Sequence, residues 1–131
     1  ATAVVLAIYE HKFKLNGAVL KFLPEGAPAV IADNLTAMTV RYLLTMSGGH
    51  DVEPKADADG PSVKRFLAQP VVHPPGTHFL YNTMGSYVLS SIVTKVTGQT
   101  AFEYLKPRLI APLGIQAPRC DVSPEGKSLG G

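Results

Sequence analysis

The sequence predicts a mainly α fold with long Pro/Gly loops and little strand. Three observations carry that expectation. Apolar residues from Met84 to Thr97 recur at helical spacing and stop at a glycine, Gly98. Thr100 and Glu103 then form the capping-box pair that opens a further helix. Finally, 12 Gly and 11 Pro in 131 residues are too many for a simple bundle, so shaped loops join the helices. A chain that is 46% hydrophobic and 17% charged builds one core, and residues 1–131 are read as a single domain. Disorder by composition is excluded.

The elements follow in chain order. Residues 1–11 form a helix whose apolar residues lie on every side, the pattern of a helix buried all round. Asn16-Gly17 is a turn pair. Val19–Leu23 is a short apolar segment closed by Pro24, and residues 24–36 are loop. A short helix spans 39–46, with Thr36 or Thr39 as its cap, and ends at Ser47-Gly48-Gly49. Residues 50–61 are polar loop, and Ser62 caps a short helix through Ala68. The prolines of 70–76 dictate a stiff extended connection. The helix after Thr100 meets Pro107, which kinks or restarts it, and Pro112–Ile115 ends it. Short strand pieces are expected near 29–31 and 77–80 only. Residue 1 is Ala and the chain closes on Gly130-Gly131, so it reads like a segment of a longer protein, with a processed or tagged small protein as the alternative.

Several functions are set aside. A net charge of +2, with no basic run, makes no case for nucleic acid. No apolar stretch reaches the ~18–20 residues of a membrane span. One cysteine, Cys120, allows neither an internal disulfide framework nor a Cys-based zinc site, and nothing near it argues for a reactive thiol. Phosphate-loop, dinucleotide-binding, His-Glu-x-x-His and nucleophile-elbow motifs are absent. Of the histidines His11, His50, His73 and His78, only the last two are close in sequence. Pro74-Pro75-Gly76 separates them, so they cannot share a helix face, and no metal site is expected. Ser-x-x-Lys is also missing: Ser91 and Ser123 have a lysine four residues on, and Ser62 has one two on.

Three ordered segments resemble the serine β-lactamase-related family, which includes class C β-lactamases, D,D-peptidases and penicillin-binding-protein-like esterases. Met38-Thr39-Val40-Arg41-Tyr42-Leu43-Leu44-Thr45-Met46-Ser47-Gly48-Gly49 is similar to the family's T-I-R-x-L-L-x-H-T-S-G stretch. Pro75-Gly76-Thr77-His78-Phe79-Leu80-Tyr81-Asn82-Thr83-Met84-Gly85 is similar to P-G-x-x-F-x-Y-S-N-x-G, which holds the family's catalytic Tyr. Ile92 through Val96-Thr97-Gly98 to Pro112-Leu113-Gly114-Ile115 resembles the stretch that follows it. The tail Ser123-Pro124-Glu125-Gly126 looks like the turn before the family's Gly-Gly segment.

The resemblance implies that the chain is the helical portion of the α/β serine β-lactamase/transpeptidase-like fold. It lacks the Ser-x-x-Lys helix start and the Lys/His-Thr/Ser-Gly strand. Tyr81 stands at the catalytic tyrosine, where the hydroxyl shuttles a proton between the nucleophilic Ser and the leaving group. A phenol, with an ordinary pKa near ~10, needs nearby cations for that task, and the missing lysines would supply them. Read from the residues alone, Tyr81 is as well a core tyrosine leading into a helix. Thr83 stands where the family has Asn, and its single hydroxyl replaces only part of that amide's bonding to substrate. Asn82 is a weaker substrate-side candidate. His50 and Asp51 are either substrate-side groups or part of a solvated loop. The implied parent is an exported, periplasmic or envelope-facing hydrolase that acts through an acyl-enzyme on a β-lactam, peptide or ester carbonyl. It needs no metal or organic cofactor, and the isolated chain is expected to be inactive. Two alternatives stay open: a non-catalytic module that binds peptidoglycan-like or small ligands, and a module that self-associates through an exposed apolar face.

Overall fold

The computed structural model describes residues 1–129, so Gly130 and Gly131 at the chain's closing turn lie outside the described residues. Among the described residues seven α-helices follow in order: α1 (Thr2–Tyr9), α2 (Val19–Phe22), α3 (Asp33–Ala37), α4 (Val40–Leu44), α5 (Val63–Ala68), α6 (Thr83–Thr97) and α7 (Ala101–Leu105). A 3-10 turn, Pro24–Gly26, follows α2, and a π-helical turn, Lys106–Ile110, continues α7. Among the described residues β-structure is limited to isolated bridges, Ala18 with Thr39, His50 with Val71, Asp57 with Gly60 and Val122 with Ser128.

Helix α6 organises the rest. It packs against α1, α2, α4, α5 and α7. Its residues Met84, Tyr87, Val88, Leu89, Ile92 and Val93 are all buried, a span wider than one stripe because neighbours cover it on several sides. The sequence supplies both ends. Asn82 accepts a hydrogen bond from the Gly85 N–H at 2.8 Å, and Gly98 closes the helix in the left-handed conformation at φ 73°. Thr100 and Glu103 form the expected capping box on α7. Pro107 has no N–H to continue an α-helical ladder, and the chain widens into the π turn at that point.

Several expectations need correction. Helix α1 is not buried all round: Ala3, Val4 and Ala7 face the core, while Val5 and Tyr9 are 57% and 80% exposed. Residues 24–36 are not all loop, because α3 starts at Asp33 and drives Leu35 into the core. Asp33 in the first turn suits the positive end of the helix. No strand forms near 29–31 or 77–80. Neither segment has a partner to complete a ladder, and Val30 and Phe79 point into solvent. Thr39 and Ser62 occupy the cap positions of α4 and α5, but neither side chain bonds to its helix.

Two polar ties fasten the chain's ends to this core. Near the C-terminal end, the Tyr87 hydroxyl donates to Glu125 Oε2 at 2.7 Å and lies 3.0 Å from Ser123 Oγ, while Ser90 Oγ donates to the Ser128 carbonyl at 2.8 Å. Burial pushes the Tyr87 phenol up to about 12, so it stays a neutral donor. Near the N-terminal end, Arg108 forks onto Glu10 at 2.6 and 3.1 Å, the Tyr104 hydroxyl donates to the same carboxylate at 2.7 Å, and the guanidinium lies 3.8 Å above the Tyr104 ring. These bonds, Arg108 first and Tyr104 second, hold the Glu10 carboxyl down at about 2 from its ordinary 4.5. A lowered folded-state pKa contributes stability that is present above 4.5 and lost as pH falls toward 2. We therefore expect the melting midpoint to drop across that window, and the drop to shrink in Glu10→Gln. Equal acid sensitivity in both proteins would contradict this assignment.

Candidate active site

The entrance to α6 gathers the residues that matter. The segment before it is pinned to the 46–50 loop by three backbone bonds. His73 N–H donates to the Gly49 carbonyl at 3.0 Å, Gly76 N–H to Ser47 at 2.8 Å and Leu80 N–H to Met46 at 2.8 Å. Glycine is required at both turning points. Gly49 lies at φ 96°, and a Cβ there would stand 2.3 Å from the His73 carbonyl oxygen. Gly76 lies at φ 93°, and its Cβ would meet the Tyr42 ring at 2.6 Å.

Tyr81 follows directly, and it is not a core tyrosine: it is 64% exposed. Its neighbours at 82 and 83 turn to the helix instead. Asn82 is buried and spends its side-chain oxygen on the Gly85 N–H. Thr83 opens α6, and its N–H donates to Glu53 Oε1 at 3.0 Å. That backbone bond, with the Thr83 side chain, lowers the Glu53 carboxyl below its ordinary value. Thr83 also lines a cleft of about 300 Å³ with Ala56, Pro61, Met84 and Tyr87. Glu53 is a residue that the sequence does not reveal, since thirty positions separate it from Thr83 and no spacing rule links them. Asn82→Ala should cost about 1 kcal/mol through the lost cap, read from urea unfolding. A loss below a few tenths would show that the cap does not hold the α6 entrance.

His50 is placed differently from a solvated loop residue. It is 2% exposed, its ring centroid lies 4.8 Å from that of Phe66, and neither ring nitrogen has a hydrogen-bond partner among the described residues. Burial lowers its imidazole pKa, which favours the neutral ring. Asp51 does face solvent, and His73 Nε2 lies 2.8 Å from its Oδ1. Pro74-Pro75-Gly76 keeps His73 and His78 off any common helix face, as the sequence requires, yet the two still meet. The two prolines and Gly76 turn the chain back, with Thr77 N–H donating to the Pro74 carbonyl at 3.2 Å, and the two imidazoles stack 4.3 Å apart.

Comparison with known proteins gives these residues a family. The Beta-lactamase family model matches residues 1–128. No curated protein matches the sequence. Among solved structures, SurE with D-Leu is 28% identical, with a TM-score of 0.66 over 87% of this chain and 26% of its own. A β-lactamase/D-alanine carboxypeptidase from Yersinia pestis complexed with citrate is 17% identical, with a TM-score of 0.73 over 95% of this chain and 38% of its own. A class C β-lactamase in complex with cefoxitin is 18% identical, with a TM-score of 0.72 over 99% of this chain and 43% of its own. At those identities the last two show a shared fold. The chain therefore spans between about a quarter and two-fifths of the length of these structures. With its ordered motifs, its helical fold and a match over nearly its whole length, the chain belongs to the β-lactamase family.

Proposed function

We propose that this chain is the helical part of a serine hydrolase and that it contributes Tyr81 to the active site. The carrying observation is the presentation of Tyr81. Its phenol stands in solvent between two fixed points, the Leu80–Met46 backbone bond and the buried Asn82 cap. In the acylation step, a serine hydroxyl from a Ser-x-x-Lys segment outside these 131 residues adds to the substrate carbonyl. Its proton passes by way of the Tyr81 oxygen to the leaving nitrogen or oxygen as the carbonyl bond to that atom breaks. Water then cleaves the acyl-serine ester and restores the hydroxyl.

The substrate class is a β-lactam, peptide or ester carbonyl. The likeness to SurE, solved with D-Leu, supports a substrate that carries a D-amino acid. Thr83 offers the substrate one hydroxyl, and its N–H is already held by Glu53. We assign Asn82 to capping and His50 to packing under the loop, rather than to substrate contact. The exposed Val5 and Tyr9 on α1 suit a face covered by the remainder of such a hydrolase.

The test is acylation by a fluorescent penicillin and by an activated ester. The 131-residue chain should stay unlabelled, while the natural full-length product should label on a serine beyond it. A label on any residue of this chain would overturn the reading. Saturable binding of a peptide by a full-length product that never turns over would replace it with a binding module.

A further inference from the structure

Asp51, His73 and His78 form a side-chain cluster that the acyl-transfer reading does not use. One ligand atom from each lies within 4.8 Å of the other two. His73 and Asp51 are in direct contact at 2.8 Å, and the two rings are stacked with their planes 27° apart. As an ion pair this arrangement contributes little, because the Asp51 side chain is 60% exposed. It holds two imidazoles and a carboxylate on one exposed surface, which is a ligand set.

The backbone makes that convergence a built feature. Both histidines lie on the segment that Gly49, Ser47 and Met46 pin by hydrogen bonds. The close approach of Gly49 to the His73 carbonyl leaves no room for a side chain there. Asn34 fixes the start of the segment by donating to the Val71 carbonyl at 2.9 Å, and Thr77 Oγ1 donates to the Pro74 carbonyl at 2.7 Å. A ligand would therefore meet histidines whose backbone is already ordered.

We propose that Asp51, His73 and His78 bind one zinc ion, with water in the remaining position. Donors around tetrahedral zinc stand about 3.3–3.6 Å apart, given metal–ligand bonds of about 2.0–2.2 Å. The Asp51–His73 contact must open slightly and the widest pair must close by about an ångström, which side-chain torsions allow. Two imidazole nitrogens and one carboxylate suit zinc and other borderline cations. Calcium and magnesium, which want oxygen ligands, are poorly matched. The site does not depend on the Tyr81 assignment.

The probe is zinc chloride, titrated calorimetrically into the chain near neutral pH, with histidine ring resonances followed by NMR. The expected result is one zinc per chain, with the His73 and His78 signals moving and those of buried His50 unmoved. His73→Ala and His78→Ala should each weaken binding at least tenfold, because losing even an outer-shell partner costs 10–100-fold. Asp51→Asn should weaken it too, and His11→Ala should leave it unchanged. None of the three ligand side chains is in the core, so helix content by circular dichroism should match throughout. Absence of saturable binding, or binding retained in the His73→Ala/His78→Ala double variant, would overturn the proposal.

Discussion

Ile92→Ala lowers the stability of the fold by about 2–5 kcal/mol, measured by urea unfolding. Ile92 is completely buried, between Val88 and Val93 that are equally so, on the helix that touches five others. Truncation removes three carbons and leaves a cavity that several elements would have to move together to fill. Against a total of about 5–15 kcal/mol for a typical domain, the loss is a large fraction. The comparison is Val5→Ala on α1. Val5 is 57% exposed, so its truncation should change stability by no more than about 0.5 kcal/mol. Similar losses at the two positions would mean that α6 is not the centre of the core.

Tyr81→Phe slows acylation in the full-length hydrolase by about 10²–10⁴-fold, the usual worth of a positioned proton-transfer group. The phenyl ring keeps its place, and the Tyr81 hydroxyl makes no hydrogen bond among the described residues, so nothing structural is lost with it. The melting midpoint should not move. That separation is the informative part. A purely structural tyrosine would lower stability and rate together, whereas a proton-transfer group lowers the rate alone. An unchanged acylation rate in Tyr81→Phe would remove Tyr81 from the mechanism.

Much of the helical frame is legible because local chemistry decides it. Gly98 has no Cβ to resist φ 73°, and Asn82 and Thr100 carry the side-chain oxygens their helices need, although only Thr100 is singled out as a cap from sequence. Pro107 announces the change of helix type because it removes a donor. Helix α3 is hidden, because a five-residue helix in a Pro/Gly-rich stretch has too little periodicity to register. It is held by Leu35, a tertiary contact. The partial exposure of α1 is hidden for a related reason: an apolar sequence tells what a face tolerates, not what covers it.

The site is less legible than the frame. Tyr81, Asn82 and Thr83 stand out only through the resemblance of the 75–85 segment, since a lone tyrosine beside a helix start has no chemical signature of its own. The structure separates their positions, with Tyr81 outward and Asn82 inward. Glu53 and the Asp51–His73–His78 cluster escape sequence reasoning because each is assembled by loops. The turn at Pro74-Pro75-Gly76 stacks two histidines that no helix face could bring together.

The most direct measurement is peptide mapping of the natural full-length product after labelling with the fluorescent penicillin and the activated ester, with the intact mass recorded alongside. The expected result is a mass well above 13.9 kDa and a single labelled serine, in a Ser-x-x-Lys segment outside these 131 residues. A label within residues 1–131, or a full-length product of 13.9 kDa that acylates with neither probe, would contradict it.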